Sequence, residues 1–332
     1  MATNDPTPRS FGQRLQSLSR QTVYLILIIV VSASVLISKF MGLTLPNKPG
    51  AGSQDFFAAI MAIPEGSTVF IQSDVTNSTR GESAGQFEAL LRILMRRNIK
   101  FAVFCASGEP QAPQVAIDVI ARINAQRIAN GERAYERWND WVSLGLFPDG
   151  RATAKAMMAN LRTAIDKKDT PPGKPPTDVW QSPVMEKLKV IDDIGLYILV
   201  TASKTSDILV ERLKFAPVTY GDVPLRTKLG CMVTGVMGPE TNNYYRSSQI
   251  FGVVIGLNGA VEIEHLMENG IKPGQSETYR SLSIEGFKGM QNYARGMAYY
   301  LALHTAMGLL IVLVIMGNVG MWLTRRQTGG GA

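Results

Sequence analysis

Histidine and cysteine are scarce, with two of each in 332 residues. Two thiols cannot build a four-cysteine zinc site or the disulfide framework that staples small secreted domains. Cys105 ends one apolar run and Cys231 begins another, so both are expected as buried small hydrophobes rather than a disulfide pair. Glu262-x-x-His265 has the i,i+3 spacing of di-iron carboxylate bundles, but no second pair of that kind exists outside the apolar runs. The phosphate loop G-x-x-x-x-G-K-[ST] is missing, as is G-x-G-x-x-G after a strand. With no nucleotide motif, no cofactor is expected. Charge is also in short supply: 18% of residues are charged, below the soluble average of about 25%.

The missing charge is explained by two long apolar runs. Residues 23–43 hold a single charge, Lys39, and residues 298–323 hold no Asp, Glu, Lys or Arg. About 20 apolar residues at 1.5 Å each cross a hydrocarbon core, so both runs are long enough to span. Lys39 can snorkel, and Tyr299, Tyr300 and Trp322 stand where an interfacial belt belongs. His304 is costly in lipid, and its place near the end of its run lets it reach water or a partner helix. Outside the two runs, 285 residues carry 60 of the 61 charged ones, an ordinary 21%.

The flanks set an orientation. Residues 1–22 carry Arg9, Arg14 and Arg20 against Asp5, and residues 324–332 carry Arg325 and Arg326 with no acid. Basic flanks stay in the cytoplasm, which predicts a two-pass protein of the cytoplasmic membrane with both tails inside and everything between the helices outside. Those tails hold more than half of the +7 formal charge, so no nucleic-acid footprint remains. Ser32-Ala33-Ser34 also fits a signal-peptide cleavage site, but hydrophobicity continues to Leu43, which favours an uncleaved anchor.

Residues 44–55 read as a Pro/Gly linker, residues 56–269 as the folded domain, and residues 270–297 as a polar juxtamembrane segment. Within the domain, short β-branched or aromatic runs (TVFIQS, KFAVFC, WVSLGL, LYILVT, GCMVTGV) alternate with amphipathic ones. The latter include AGQFEALLRILMRRN, APQVAIDVIARINAQRIAN, ATAKAMMANLRTAID, SPVMEKLKVIDD, TSDILVERLKF and a last helix around residues 249–267. Alternation of this kind predicts an α/β fold, a doubly wound and mainly parallel sheet of Rossmann-like type. The Pro-rich break at residues 170–177 is expected to be a surface loop.

In such sheets, ligands bind outside the carboxyl ends of the strands. The segments expected there contain Asp74, Thr76 and Ser78, then Ser107 and Glu109, then residues 148–150, then Ser203, with residues 238–245 following the last strand. These are the candidate ligand-binding residues. Asp74-x-Thr76-x-Ser78 resembles the D-x-S-x-S metal-ion-dependent adhesion loop of von Willebrand A domains, whose oxygen donors suit a hard cation. The same residues are also ordinary turn formers, and no metal is expected. Gly81-Glu82-Ser83-Ala84-Gly85 is a literal G-x-S-x-G, which makes Ser83 the candidate nucleophile. The motif marks a hydrolase only on a tight strand-to-helix turn, and about seven residues separate it from the strand. Ser83 with Gln86 fits a capping box instead.

Three runs carry a wider resemblance. They are PEGSTVFIQSDVTNSTRGESAGQFEALLRILMRRNIKFAVFCASGEPQAPQVA, DWVSLGLFPDG and SQIFGVVIGLNGAVEIEHLM, across roughly residues 65–268. Together they resemble a family of uncharacterised bacterial and archaeal membrane proteins in which transmembrane helices hold an extracytoplasmic Rossmann-like domain. The family's D-Y-V-N-L-G-Y-x-P-G-G segment is similar to Asp140–Gly150, which departs from it at Trp141, Ser143, Phe147 and Asp149. More distantly, the first β-α-β unit is similar to the auxiliary domain of gliding-motility ABC-exporter components. The resemblance implies fold and topology and brings no reaction. The expectation is therefore a non-catalytic, membrane-anchored binding or assembly protein. Its partners would be the lipid bilayer and other membrane proteins or further copies of itself. The alternative is an extracytoplasmic hydrolase or metal-dependent enzyme at the strand ends.

Overall fold

The computed structural model describes residues 19–41, 48–271 and 291–329. They belong to two units, one containing the two long apolar helices and the other the α/β segment between them. Most of the expected N-terminal tail and juxtamembrane segment lies outside the described residues.

Helix α1 spans Arg20–Met41 and is apolar on every side, as a membrane span is. In the α/β unit, helix α2 covers Ala51–Ala62, so it begins inside the stretch that proline and glycine mark as linker. Gly52 is there for close approach, because a Cβ would stand 2.6 Å from the Val253 side chain. Ser53 Oγ donates to the Glu262 carboxylate at 2.6 Å, and Phe56, Phe57 and Ile60 are wholly buried.

The chain then runs through β1 (Thr68–Ser73), α3 (Ser83–Arg96), β2 (Lys100–Cys105), α4 (Ala112–Ala129) and β3 (Trp141–Leu146). Next come α5 (Gly150–Ala159), the single turn α6 (Leu161–Ala164), and a small hairpin of β4 (Lys168–Asp169) and β5 (Thr177–Asp178). β6 (Tyr197–Thr201) and α7 (Thr205–Arg212) follow, then a second hairpin of β7 (Val218–Tyr220) and β8 (Val223–Leu225). The unit closes with β9 (Leu229–Val233), α8 (Gly238–Arg246), β10 (Val253–Ile255) and α9 (Gly256–Asn269).

Six strands form one parallel sheet in the order β10-β9-β6-β1-β2-β3. Read from the β3 edge, the strands follow one another as 3-2-1-4-5-6, the order of doubly wound dinucleotide folds. The order reverses between β1 and β6, which makes that gap the topological switch point. Alternate strand residues feed two apolar clusters. Val69, Ile71, Phe101, Val103, Ile198 and Met232 meet α2, α3, α4 and α9 on one face. Phe70, Phe104, Tyr197, Leu199 and Cys231 meet α5, α6, α7 and α8 on the other. Burial on both faces is why these strands read as nearly continuous apolar runs.

The segment Asp140–Gly150 has a mechanical explanation. Asp140 receives both terminal nitrogens of Arg133, at 2.7 and 3.0 Å, and the Glu136 amide at 2.8 Å. Gly145 takes φ +66° where the β2–β3 register slips between Val103 and Phe104. Asp149 caps α5 by accepting from the Arg151 and Ala152 amides. At Gly150 a Cβ would lie 2.6 Å from the Ala106 carbonyl oxygen.

Three local expectations are corrected. Ser182–Asp193 forms turns and a final 3₁₀ helix at Ile191–Asp193 rather than an α-helix, and the Asp193 carboxylate takes the Lys189 and Val190 amides. The run ATAKAMMANLRTAID breaks at Asn160, whose extended backbone and side chain cap α6 at the Thr163 amide. Residues 238–245, which follow β9 as expected, form most of helix α8, with proline in its first turn. The helix expected around residues 249–267 starts only at Gly256, after the three-residue strand β10.

Helix α10 spans Gln291–Gly329. Arg20–Met41 and Leu301–Arg325 are both long and apolar enough to cross a membrane, with only 11% and 6% of their apolar windows buried.

Candidate functional site

The switch point is occupied by the protein's own side chains. Asp74, the first residue after β1, is 5% exposed, and its carboxylate collects donors from β1 and from the end of β2. The Cys105 thiol donates at 3.4 Å from the end of β2, as does the Ala106 amide. The Thr205 hydroxyl, at the start of α7, stands beside the carboxylate and favours its charged form. From within β1, Gln72 Nε2 lies 3.3 Å from Oδ2, and Gln72 Oε1 accepts the Tyr197 hydroxyl at 2.7 Å.

The network extends outward to two hydroxyls. Ser203 Oγ lies 2.8 Å from Thr205 Oγ1, and Ser107 Oγ lies 3.2 Å from Cys105 Sγ. Asp74 and the half-buried Ser107 are thus joined through Cys105, while the exposed Ser203 bonds to Thr205, which stands beside the buried acid.

The other expected residues do not join it. Thr76 Oγ1 lies 2.7 Å from Ser78 Oγ and 3.4 Å from Thr79 Oγ1, and this trio closes a 3₁₀ turn at Asn77–Thr79. The Glu109 side chain is exposed, and only its carbonyl oxygen meets Cys105. Among the described residues, no group of three or more His, Cys, Asp or Glu stands ready to hold a metal. Asp74 and the Thr76–Ser78 hydroxyls engage different partners.

Protons are held tightly throughout the network. Burial pushes the Asp74 carboxyl above its ordinary value, and the donors around it do not offset that cost. Burial, with Asp74 alongside, pushes the Cys105 thiol up to about 11. It also lifts the Tyr197 phenol well above its ordinary value, again with Asp74 adding to the shift. A reactive cysteine needs a depressed pKa and access, and Cys105 has neither. Cys231, free and buried in β9, is pushed up to about 12 by burial.

Ser83 is the first residue of α3, fully buried, with no hydrogen-bond partner for Oγ among the described residues. It is therefore neither activated by a base nor the capping residue the sequence implied. Gln86 does not reach back to cap. Its Nε2 donates to the Val233 and Gly256 carbonyls, each at 2.8 Å, and so ties α3 to the ends of β9 and β10. The N-cap of α3 is Glu82, whose carboxylate accepts the Gly235 amide at 2.7 Å. In nucleotide-binding sheets this helix N-terminus receives phosphate. Here an approaching phosphate meets a carboxylate.

The residues that sequence reasoning missed are Gln72, Cys105, Tyr197 and Thr205. Gln72 and Tyr197 did leave a trace, as polar groups in the apolar runs TVFIQS and LYILVT, where burial requires partners. Comparison with protein-family models, with curated proteins and with solved structures finds no match.

Proposed function

We propose that the chain is a two-pass membrane protein in which α1 and α10 hold the α/β unit outside the cytoplasm for binding or assembly, without catalysis. The observation that carries this reading is that the two apolar helices are almost bare of protein cover, 11% and 6% buried over their most apolar stretches. The core helix of a soluble protein is buried, and a helix exposing Leu25, Ile28, Leu310 and Val314 to water would be unstable or aggregate. Lipid removes that cost. The basic flanks put the α/β unit on the far side from the tails. The switch point favours a scaffold over an enzyme, because the buried Asp74 carboxylate where substrate would bind is taken up by Gln72, Cys105 and the Ala106 amide.

Topology is tested by labelling intact cells with a membrane-impermeant maleimide. Lys174→Cys places a thiol on the exposed Pro-rich loop, and native Cys105 and Cys231 are buried, so the parent chain is a blank. Labelling without permeabilisation is expected. Labelling only after permeabilisation overturns the orientation.

A further inference from the structure

Helix α10 has one covered stripe and is exposed around the rest, with Leu303, Leu310, Val312 and Ile315 as open as the second stripe that spacing picks out. Ala302, Ala306, Leu309, Leu313, Met316 and Gly320, spaced 4-3-4-3-4, are buried or half-buried. Roughly 140° around the helix, at 100° per residue, Met307, Ile311, Val314, Asn318 and Met321 are all exposed and spaced 4-3-4-3. The four apolar members of this second stripe leave 43% to 56% of their surface open. A 4-3 repeat is the spacing at which one helix seats its side chains between those of another.

Asn318 makes the open stripe more than an apolar face. It stands about 25 Å along the helix from Leu301 and about 10 Å before Arg325, inside a hydrocarbon layer of ~30 Å. Among the described residues its amide has no hydrogen-bond partner, and it points away from the covered stripe. Lipid supplies neither donor nor acceptor, so an amide at this depth is satisfied only by another helix.

The chemistry of the amide selects that helix. A carboxamide carries both a donor and an acceptor, so two of them at the same depth satisfy each other. Two parallel copies of α10 place Asn318 against Asn318 without any further adjustment. Ile311 and Asn318 then share one heptad position, and Met307, Val314 and Met321 share the other. A single Asn in the first of these positions fixes register and a two-stranded state in soluble coiled coils.

We propose that α10 pairs in parallel with α10 of a second copy through Met307, Ile311, Val314, Asn318 and Met321, which makes the protein a membrane homodimer. The proposal rests on the membrane reading above and names the partner of that assembly.

The test uses the full-length chain in its native membrane. Val314→Cys lies on the open stripe and Leu313→Cys on the covered one, while Cys105 and Cys231 are buried. Under mild oxidation, Val314→Cys is expected to give an adduct of twice the chain mass, and Leu313→Cys to remain monomeric. Asn318→Leu in the Val314→Cys background should weaken self-association by about three- to thirty-fold, the range measured for polar contacts between membrane helices. Asn318→Gln keeps an amide and should retain most of the adduct. Equal crosslinking of the two cysteine variants, an adduct with a different protein, or an Asn318→Leu variant that pairs as well as the parent overturns the proposal. Alkaline carbonate extraction separates the two levels. A chain washed off the membrane defeats the membrane reading and the dimer with it. A chain that stays in the membrane while Val314→Cys fails to crosslink defeats the dimer alone.

Discussion

Asp74 and Asp169 are two carboxylates of nearly equal burial, 5% and 3% exposed, in regions that treat them in opposite ways. At the β3 edge, Asp169 accepts Nε and Nη2 of Arg137 and the Ser143 and Thr170 amides, at 2.5 to 3.1 Å for the closest contact of each group. Its charge is balanced by a cation and spread over amides, and it satisfies an N–H that the last strand would otherwise present to the solvent. At the switch point, Asp74 has neutral donors only. One carboxylate is built into an edge as an ion, and the other is held where ionising is costly.

The comparison breaks most visibly at Asp169. Asp169→Ala strands Arg137 and the Ser143 amide and should cost about 3 kcal/mol in denaturant unfolding of the solubilised protein. Asp74→Ala leaves the Cys105 thiol, the Ala106 amide and Gln72 Nε2 without an acceptor but strands no cation. Its cost should be smaller, about 1–2 kcal/mol by the same measurement. If Asp74→Ala proved the more damaging, the contrast between the two sites would be reversed. Arg137→Lys keeps the charge and loses the two-pronged contact, which should cost about 1 kcal/mol.

The finest distinction is in pH dependence. Because the folded state raises the Asp74 pKa, the carboxyl's favourable contribution is complete below its ordinary value of 3.8 and is lost as pH rises through the folded value. Asp74→Asn removes that titration. Relative to the parent, the variant should gain stability as pH climbs from about 4 towards neutrality. A Tm difference between the two that stays constant across this range would mean that Asp74 is not held protonated.

Much of the sheet was legible, because strands buried on both faces announce themselves. TVFIQS, KFAVFC and WVSLGL are β1, β2 and β3 residue for residue. β10 was missed because three residues between Gly252 and Gly256 carry too short a period to register. Helix α2 was obscured by Gly52, a glycine that serves packing, since a Cβ there would stand 2.6 Å from the Val253 side chain. Ser182–Asp193 has helical apolar spacing and still folds as turns ending in a 3₁₀ helix, where the Asp193 carboxylate takes the Lys189 and Val190 amides. The candidate site was legible as a location. That Asp74 and Ser107 are joined depends on Cys105, and sequence spacing cannot show which side chains turn towards one another across strands. Thr76 and Ser78 have the right spacing for a cation, yet their hydroxyls turn to each other.

The reversal of strand order at β1 also sets a timetable. Asp74 and Cys105 meet across 31 residues of chain, whereas Gln72 and Tyr197 meet across 125. The longer closure adds only about 1 kcal/mol of loop entropy, so the finished sheet is little penalised. The delay during synthesis is larger: at roughly 5–20 residues per second, the β2 side of β1 can zip up about ten seconds before its other side has a partner. Throughout that interval the central strand of the future sheet presents an open edge, with the half-formed acid network at its tip. The nascent chain is most vulnerable there, and anything that escorts it must cover β1 until Tyr197–Thr201 arrives.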